Sequence, residues 1–407
     1  MSNIQAAIPS IPGFRVSGVH AGIKKNGNLD FALIVSDTPG SASGVFTTNQ
    51  VKASSVVRNM GILAQETARI RAIAINSGCA NACTGQQGMD NTYQTAQWVA
   101  QHIGCAEDEV LVMSTGVIGA QLPMDKIRRG IELAADALSV EGWDAAARAI
   151  MTTDTRPKTA STTLQAANGK TYTIAGVAKG SGMIAPNMAT MLGVVIANAP
   201  FAGSLGSLLH TAADETFNRI VVDGDMSTND TVLLLVNNAS GAVEPPAGQY
   251  PDAVRAVSRK LAQDIVRDGE GVTKFITLHI TGAPDTEAAR HIAHTIATSA
   301  LVKTAFYGND ANWGRIIAAA GRAGIPLDPD RMSLRLIPGE SLIHTDASVL
   351  LFANGMPTDY READAAAIIR QSSIVAWLDC GAGNGVATVW TCDLSHDYVS
   401  INAEYRT

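Results

Sequence analysis

Short runs of branched apolar residues, four to eight long and bounded by loops, recur through the first third of the chain: Phe31 to Ser36, Ser43 to Thr48, Ala72 to Ile75 and Glu109 to Met113. Runs of this length predict strands. Two of them open alike into small residues, Ala72–Ile75 into Asn76-Ser-Gly78 and Val110–Met113 into Ser114-Thr-Gly116, with a helical pattern following each. A strand that stops there would leave backbone N–H groups pointing beyond the sheet, where they can receive a developing oxyanion.

Further along, Trp143 to Met151 predicts a short helix that runs into the hydroxyl cluster Thr152-Thr-Asp-Thr155. Tyr172 to Ala178 predicts a strand ending at Lys179, and the uncharged run Met191 to Ala197 a buried one. Leu205 to Asn218 reads as a helix and Arg219 to Val222 as a strand. Pro251 to Arg267 places Val254, Val257, Leu261 and Ile265 on one helical face, and Thr273 to Ile280 returns to strand. The turn cluster Gly282-Ala-Pro-Asp285 is the expected boundary between a main α/β domain, 1–282, and a smaller one, 283–407. The smaller part predicts helices at Thr286–Ser299, Asn312–Arg322 and Tyr360–Gln371, with strands at Met332–Ile337, Ile374–Leu378 and Gly385–Thr391.

A chain of 407 residues, 46% hydrophobic, has room for a large core; two domains are the natural expectation, with one large α/β unit as the alternative. A net charge of −7 without a basic cluster gives no footprint for nucleic acid. No run approaches the roughly 18 apolar residues of a membrane span. Met1 to Pro12 lacks the basic start and apolar centre of a secretory signal, so a cytosolic location is expected. Cys79, Cys83, Cys105, Cys380 and Cys392 are odd in number and scattered, which predicts free thiols. His291 and His294 have no third ligand nearby, the Asp223-Gly-Asp-Met-Ser-Thr-Asn-Asp230 loop lacks the spacing of a calcium loop, and no glycine loop fits a nucleotide, so neither metal nor cofactor is expected.

Chemistry concentrates in Lys179-Gly-Ser-Gly-Met-Ile-Ala-Pro-Asn-Met-Ala-Thr-Met191, which sets the Thr190 hydroxyl between a small-residue loop and a buried run. Attack of that hydroxyl on the Ala189 carbonyl, followed by hydrolysis of the ester, would make Thr190 a new N-terminus. Its α-amine, with an ordinary pKa of roughly 7.7–8.0, would then serve as base to its own hydroxyl. A strand threonine is more commonly a packing residue, and the other motifs are what change the reading.

Asn76-Ser-Gly-Cys-Ala-Asn-Ala-Cys-Thr-Gly85, Ser114-Thr-Gly-Val-Ile-Gly119, Met151-Thr-Thr-Asp-Thr155, the Thr190 stretch, Arg267-Asp-Gly-Glu-Gly271, Asn312-Trp-Gly-Arg315 and Asp397-Tyr-Val-Ser-Ile-Asn-Ala-Glu-Tyr-Arg-Thr407 occur in this order. Together they closely resemble the ornithine acetyltransferase family of arginine biosynthesis, from about Gly13 to the last residue. The resemblance implies a layered α-β-β-α sandwich of the autoprocessing N-terminal-nucleophile type with a second, smaller α/β domain. It implies cleavage between Ala189 and Thr190 into chains 1–189 and 190–407, assembled as two copies of each. The implied reaction is a ping-pong transfer of acetyl from N-acetylornithine to glutamate, with acetyl-CoA as a further donor in some members.

Family roles fall on Thr190 as nucleophile, Thr115 and Gly116 as oxyanion site, and Thr153, Lys179, Thr190, Glu270, Asn402 and Thr407 as substrate contacts. The tail carries Tyr398, Val399 and Ile401, which are expected to pack and dock it. Departures from the usual pattern are Cys79 in place of Asn, Met226 in place of Thr, and Gly193-Val194 in place of Ala-Phe. Two other readings stand beside the transferase: an amidohydrolase or aminopeptidase using the same nucleophile with water as acceptor, and an uncleaved binding protein that keeps the fold.

Overall fold

The computed structural model describes residues 3–65, 68–185, 191–243 and 248–404. They form two compact units, one of Met1–Asn218 with Asp225–Ile265, the other of Arg219–Gly224 with Val266–Thr407.

The first unit is organised by one long strand. β1 (Phe14–Val19) pairs antiparallel with the first part of β2 (Phe31–Phe46), whose Phe31–Val35 stretch also pairs with β3 (Ile70–Cys79). The second part, Ser41–Phe46, leaves that layer and pairs with β8 (Thr231–Val236). The two expected strands Phe31–Ser36 and Ser43–Thr48 are thus one strand serving two sheets, shifted in register between Val35 and Gly40. α1 (Ser54–Leu63) and α2 (Gly85–Ile103) flank β3, and β4 (Val110–Val117) lies parallel to β3. After α3 (Met124–Asp136) and α4 (Trp143–Ala149), β5 (Lys158–Gln165), β6 (Thr171–Lys179) and β7 (Leu192–Ala197) pair in succession, and β7 runs parallel to β8.

Alternation along these strands makes the layers. Ala32, Ile34, Ile73, Ile75, Leu111 and Met113 on one sheet meet Ala175, Val177, Val194, Ile196, Leu233 and Leu235 on the other in a single buried cluster. The intervening residues Phe31, Leu33, Ala72, Ala74, Val110 and Val112 face Val99 of α2 and Ile127 and Ile131 of α3. On the far side, a Cβ at Gly176 would lie 2.9 Å from Leu261 of α6 (Gln249–Arg267), which shares that side with α5 (Leu205–Glu215). Helix, sheet, sheet, helix is the α-β-β-α order that the family resemblance implies.

The second unit is a six-stranded sheet in the order β12 (Met356–Pro357), β11 (Val349–Ala353), β10 (Ser333–Pro338), β13 (Ser373–Asp379), β9 (Phe275–Ala283), β14 (Gly385–Cys392). Ile276, Leu278, Ile280, Leu334, Leu336 and Leu378 pack under α7 (Thr286–Ala297), α8 (Ala300–Tyr307), α9 (Trp313–Gly321) and α10 (Glu362–Ile369). The domain boundary expected at 282 therefore moves: β9 finds both its partners, β13 and β14, later in the chain, so the change of unit falls at the end of α6. The strand expected at Arg219–Val222 is reduced to one bridge, Ile220 to Trp390, in the second unit. Among the described residues no helix is long and apolar enough to cross a membrane.

Leu233 sits fully buried where the two sheets of the first unit meet. Leu233→Ala should cost about 2–5 kcal/mol, read as a lower denaturant midpoint, whereas a polar residue at the exposed Val243 should stay within about 0.5 kcal/mol.

Candidate active site

β3 and β4 do not stop at the small residues. They continue in parallel through Asn76–Cys79 and Ser114–Val117, each supplying the other with pairing partners. The ladder then shifts register: Gly78 still pairs with Gly116, but Cys79 faces both Thr115 and Val117, a bulge at the end of the pair. A bulge disrupts the regular ladder locally, so the candidate oxyanion donors lie where two paired strands lose register and not at a plain strand end. Glycine is required by geometry here. Gly116 has φ +131° and Gly78 φ +101°, and a Cβ on Gly116 would lie 2.4 Å from the Gly78 carbonyl carbon. The bulge is tied from both sides, with Asn76 Nδ2 donating to the Cys79 carbonyl at 2.8 Å and Ser114 Oγ to Asn76 Oδ1 at 2.7 Å. Cys79 is buried in the bulge with its Sγ 3.3 Å from the Ala120 carbonyl, and burial raises its thiol pKa.

Lys179 is the last residue of β6, buried, with Nζ 3.5 Å from Thr115 Oγ1. It is held there through Asp154, a residue the sequence reading passed over. Asp154 Oδ1 accepts from Lys158 Nζ at 2.6 Å and from the Gly180 amide at 2.7 Å, while Oδ2 accepts from the Thr152 amide at 2.9 Å. One carboxylate thus fixes the half-buried bend that carries Thr153, the start of β5, and the turn that follows Lys179. Burial alone would raise the Asp154 pKa. The Lys179 and Lys158 ammoniums and the Thr152 amide outweigh it and hold the carboxylate well below its usual range.

Lys24 belongs to the same electrostatic neighbourhood. Its Nζ donates to the Leu29 carbonyl at 2.8 Å, and a Cβ on Gly78 would be 3.3 Å from its Cγ. Burial, reinforced by Lys179 and opposed by Asp30 and Asp154, brings its pKa down to about 8. The loop after Lys179 is buried at Ser181, Ile184 and Ala185, and its left-handed residue is Met183 at φ +59°. Ala189 and Thr190, and with them the cleavage site, lie outside the described residues.

In the second unit Glu270 is not a solvated turn residue. It is buried, between glycines, and its Oε2 accepts from Asn402 Nδ2 at 2.7 Å. A Cβ on Gly271, at φ +69°, would lie 2.6 Å from the Tyr398 amide, so the turn and the tail touch closely. The tail forms α11 (His396–Ala403). Tyr398 docks it, donating to Asp223 Oδ2 at 3.2 Å, but Val399 is 66% exposed and Ile401 37%, so these two do not pack as expected. Eight residues of helix present only one side to the turn, and that side carries Tyr398 and Asn402, four apart. Thr407 lies outside the described residues. Asp154 lies inside the Met151–Thr155 motif without a role of its own there, and Lys24 lies in no motif; for Asp154 the available signal was a charge inside an otherwise hydroxylated stretch.

The model of the ArgJ family matches residues 15–407. The arginine biosynthesis bifunctional protein ArgJ of Geobacter sulfurreducens is 45% identical over 98% of this chain and 100% of its own length. The protein of the same name from Thermotoga neapolitana is 45% identical over 97% of this chain and 99% of its own. A solved structure, ornithine acetyltransferase complexed with ornithine from Mycobacterium tuberculosis, is 41% identical over 46% of this chain and 98% of that chain, with a TM-score of 0.42.

Because the Asp154 pKa is depressed in the folded state, the charge stabilises the fold above the ordinary carboxylate pKa of about 4 and that stability is lost as pH falls through the folded value. Asp154→Asn removes the carboxylate between two buried ammoniums and should cost about 3–5 kcal/mol at neutral pH. Thermal melts of the two proteins should draw together as pH is lowered below about 4.

Proposed function

This chain belongs to the ArgJ family, and on that premise we propose how its own residues carry the reaction. The protein is an acetyltransferase of arginine biosynthesis that moves an acetyl group from N-acetylornithine to glutamate. The full-length match carries this reading; it disfavours the hydrolase alternative, in which water takes the acetyl group.

Thr190, freed as an N-terminus by cleavage after Ala189, attacks the acetyl carbonyl, and its α-amine accepts the hydroxyl proton. The Thr115 hydroxyl and the Gly116 amide receive the oxyanion. Lys179 and Thr153 bind the amino-acid part of the substrate, with Lys179 attracting its carboxylate. Glu270, held by Asn402, pairs with the ornithine ammonium, and Thr407 completes the contacts. The C–N bond breaks, the amine leaves with the proton, and an acetyl ester remains on Thr190. Glutamate then enters with its α-amine as nucleophile and the steps reverse. Acetyl-CoA as a second donor, no resident cofactor, an assembly of two copies of each cleavage chain and a cytosolic location belong to the same proposal.

Support for the oxyanion role comes from a bulge that admits only glycine beside a buried threonine hydroxyl. If the assignment holds, Thr115→Ala loses one donor and acetyl transfer slows about a hundredfold or more, with substrate binding changed far less. An unchanged acylation rate in single turnover would remove Thr115 from that role. Thr190→Ala should remain a single chain by intact mass, and active protein should yield Thr190 on N-terminal sequencing. Active protein with no Thr190 terminus would sink the cleavage mechanism.

A further inference from the structure

The loop Ser227–Asp230 is the end of the Asp223–Asp230 stretch and lies just before β8. Its side chains reach in two directions. Asn229 Nδ2 donates to the Ala80 carbonyl at 2.6 Å and to the Ser114 carbonyl at 2.8 Å, and Thr228 Oγ1 steadies the amide by donating to Asn229 Oδ1 at 2.6 Å. The Ser114 carbonyl belongs to the peptide whose N–H is that of Thr115. The next residue, Asp230, accepts the Met191 amide on Oδ1 at 2.9 Å. That amide belongs to the peptide whose carbonyl is that of Thr190. Met191 is held a second time, its carbonyl accepting from the Thr231 amide at 3.1 Å.

We propose that Asn229 and Asp230 are a positioning pair, two consecutive side chains that fix Met191, the residue after Thr190 in sequence, in register with the Thr115–Gly116 bulge, for both self-cleavage and acetyl transfer. The inference rests on the reading of Thr190 as nucleophile. Its warrant is the pairing of two observations. Each side chain grips the peptide adjoining one half of the machinery, and Asp230 is fully buried with an Oδ2 that has no hydrogen-bond partner among the described residues. A buried carboxylate would be expected to collect partners on both oxygens. Burial pushes the Asp230 carboxyl well above its ordinary range, against the Met191 amide, Lys179 and Ser227, which pull it down. A protonated acid needs only one acceptor oxygen for the Met191 amide. Asp230 then works by shape and hydrogen bonding, and an amide of the same shape can replace it.

The test compares Asp230→Asn and Asp230→Leu in the full chain, with Thr190→Ala alongside. Cleavage after Ala189 is followed in freshly synthesised protein, and kcat and KM for N-acetylornithine in whatever is cleaved. Asp230→Leu should slow cleavage and lower kcat about tenfold or more, the scale of lost positioning, with KM within about twofold. Asp230→Asn should restore both to within about threefold. Wild-type behaviour of the leucine variant would overturn the proposal, and so would an asparagine variant as impaired as leucine, since the charge would then be what matters. Should the leucine variant not fold, the asparagine variant decides by its pH–rate profile: an unshifted profile is expected, and loss of an acidic limb would overturn the proposal. Cleavage or activity in Thr190→Ala would instead bring down the nucleophile reading itself.

Discussion

One buried carboxylate holds the candidate centre of the first unit together. Asp154 is surrounded by two lysine ammoniums and two backbone amides, and none of these groups would be tolerated in such a place alone. Two ammoniums without the carboxylate would be uncompensated charge in a low-dielectric interior; the carboxylate without them would be driven to the neutral acid. Asp230 shows the contrast: it is buried, burial outweighs the pull of Lys179, the Met191 amide and Ser227, and its pKa moves the opposite way. The same kind of side chain is thus pulled toward the anion in one place and toward the neutral acid in the other, according to the partners that folding brings.

The sandwich explains why these groups can meet at all. β2 passes from one sheet to the other, so its two halves pair with β3 and with β8. The parallel pairs β3·β4 and β7·β8 are built on those two halves. The bulge at Gly116 lies at the end of one pair, and Met191 leads into the other. Side chains of the Ser227–Asp230 loop bridge the two ends. In the second unit the sheet closes β9 between β13 and β14, and the turn carrying Glu270 precedes β9 and meets the tail helix.

Much of this was legible in the sequence. Apolar runs such as Ala72–Ile75, Tyr172–Ala178 and Met191–Ala197 marked real strands, because a strand buried on both faces must be apolar nearly throughout. Val254, Val257, Leu261 and Ile265 marked the buried side of α6. The reading failed where pairing was the deciding factor. Asn76–Cys79 and Ser114–Val117 look like loops by composition and are strands because each is the other's neighbour. Arg219–Val222 looks like a strand and forms one isolated bridge, Ile220 to Trp390. Val399 and Ile401 look like packing residues and face solvent, because the helix that carries them turns its other side to the Glu270 turn.

The sequence by itself determined the chemical inventory: an ordered set of motifs with one threonine between a small-residue loop and an apolar run, glycines at the turns, and lysine and glutamate at positions shared with a family. Those are local properties, set by residue type and spacing along the chain. Tertiary structure alone decided which charges are compensated, which carboxyl is pushed up and which down, and that Asp154, Asn229 and Asp230 lie beside the candidate groups. Protonation and positioning depend on burial and on partners tens to more than a hundred residues away, as with Asn229 and Ser114, and only the folded chain brings those together.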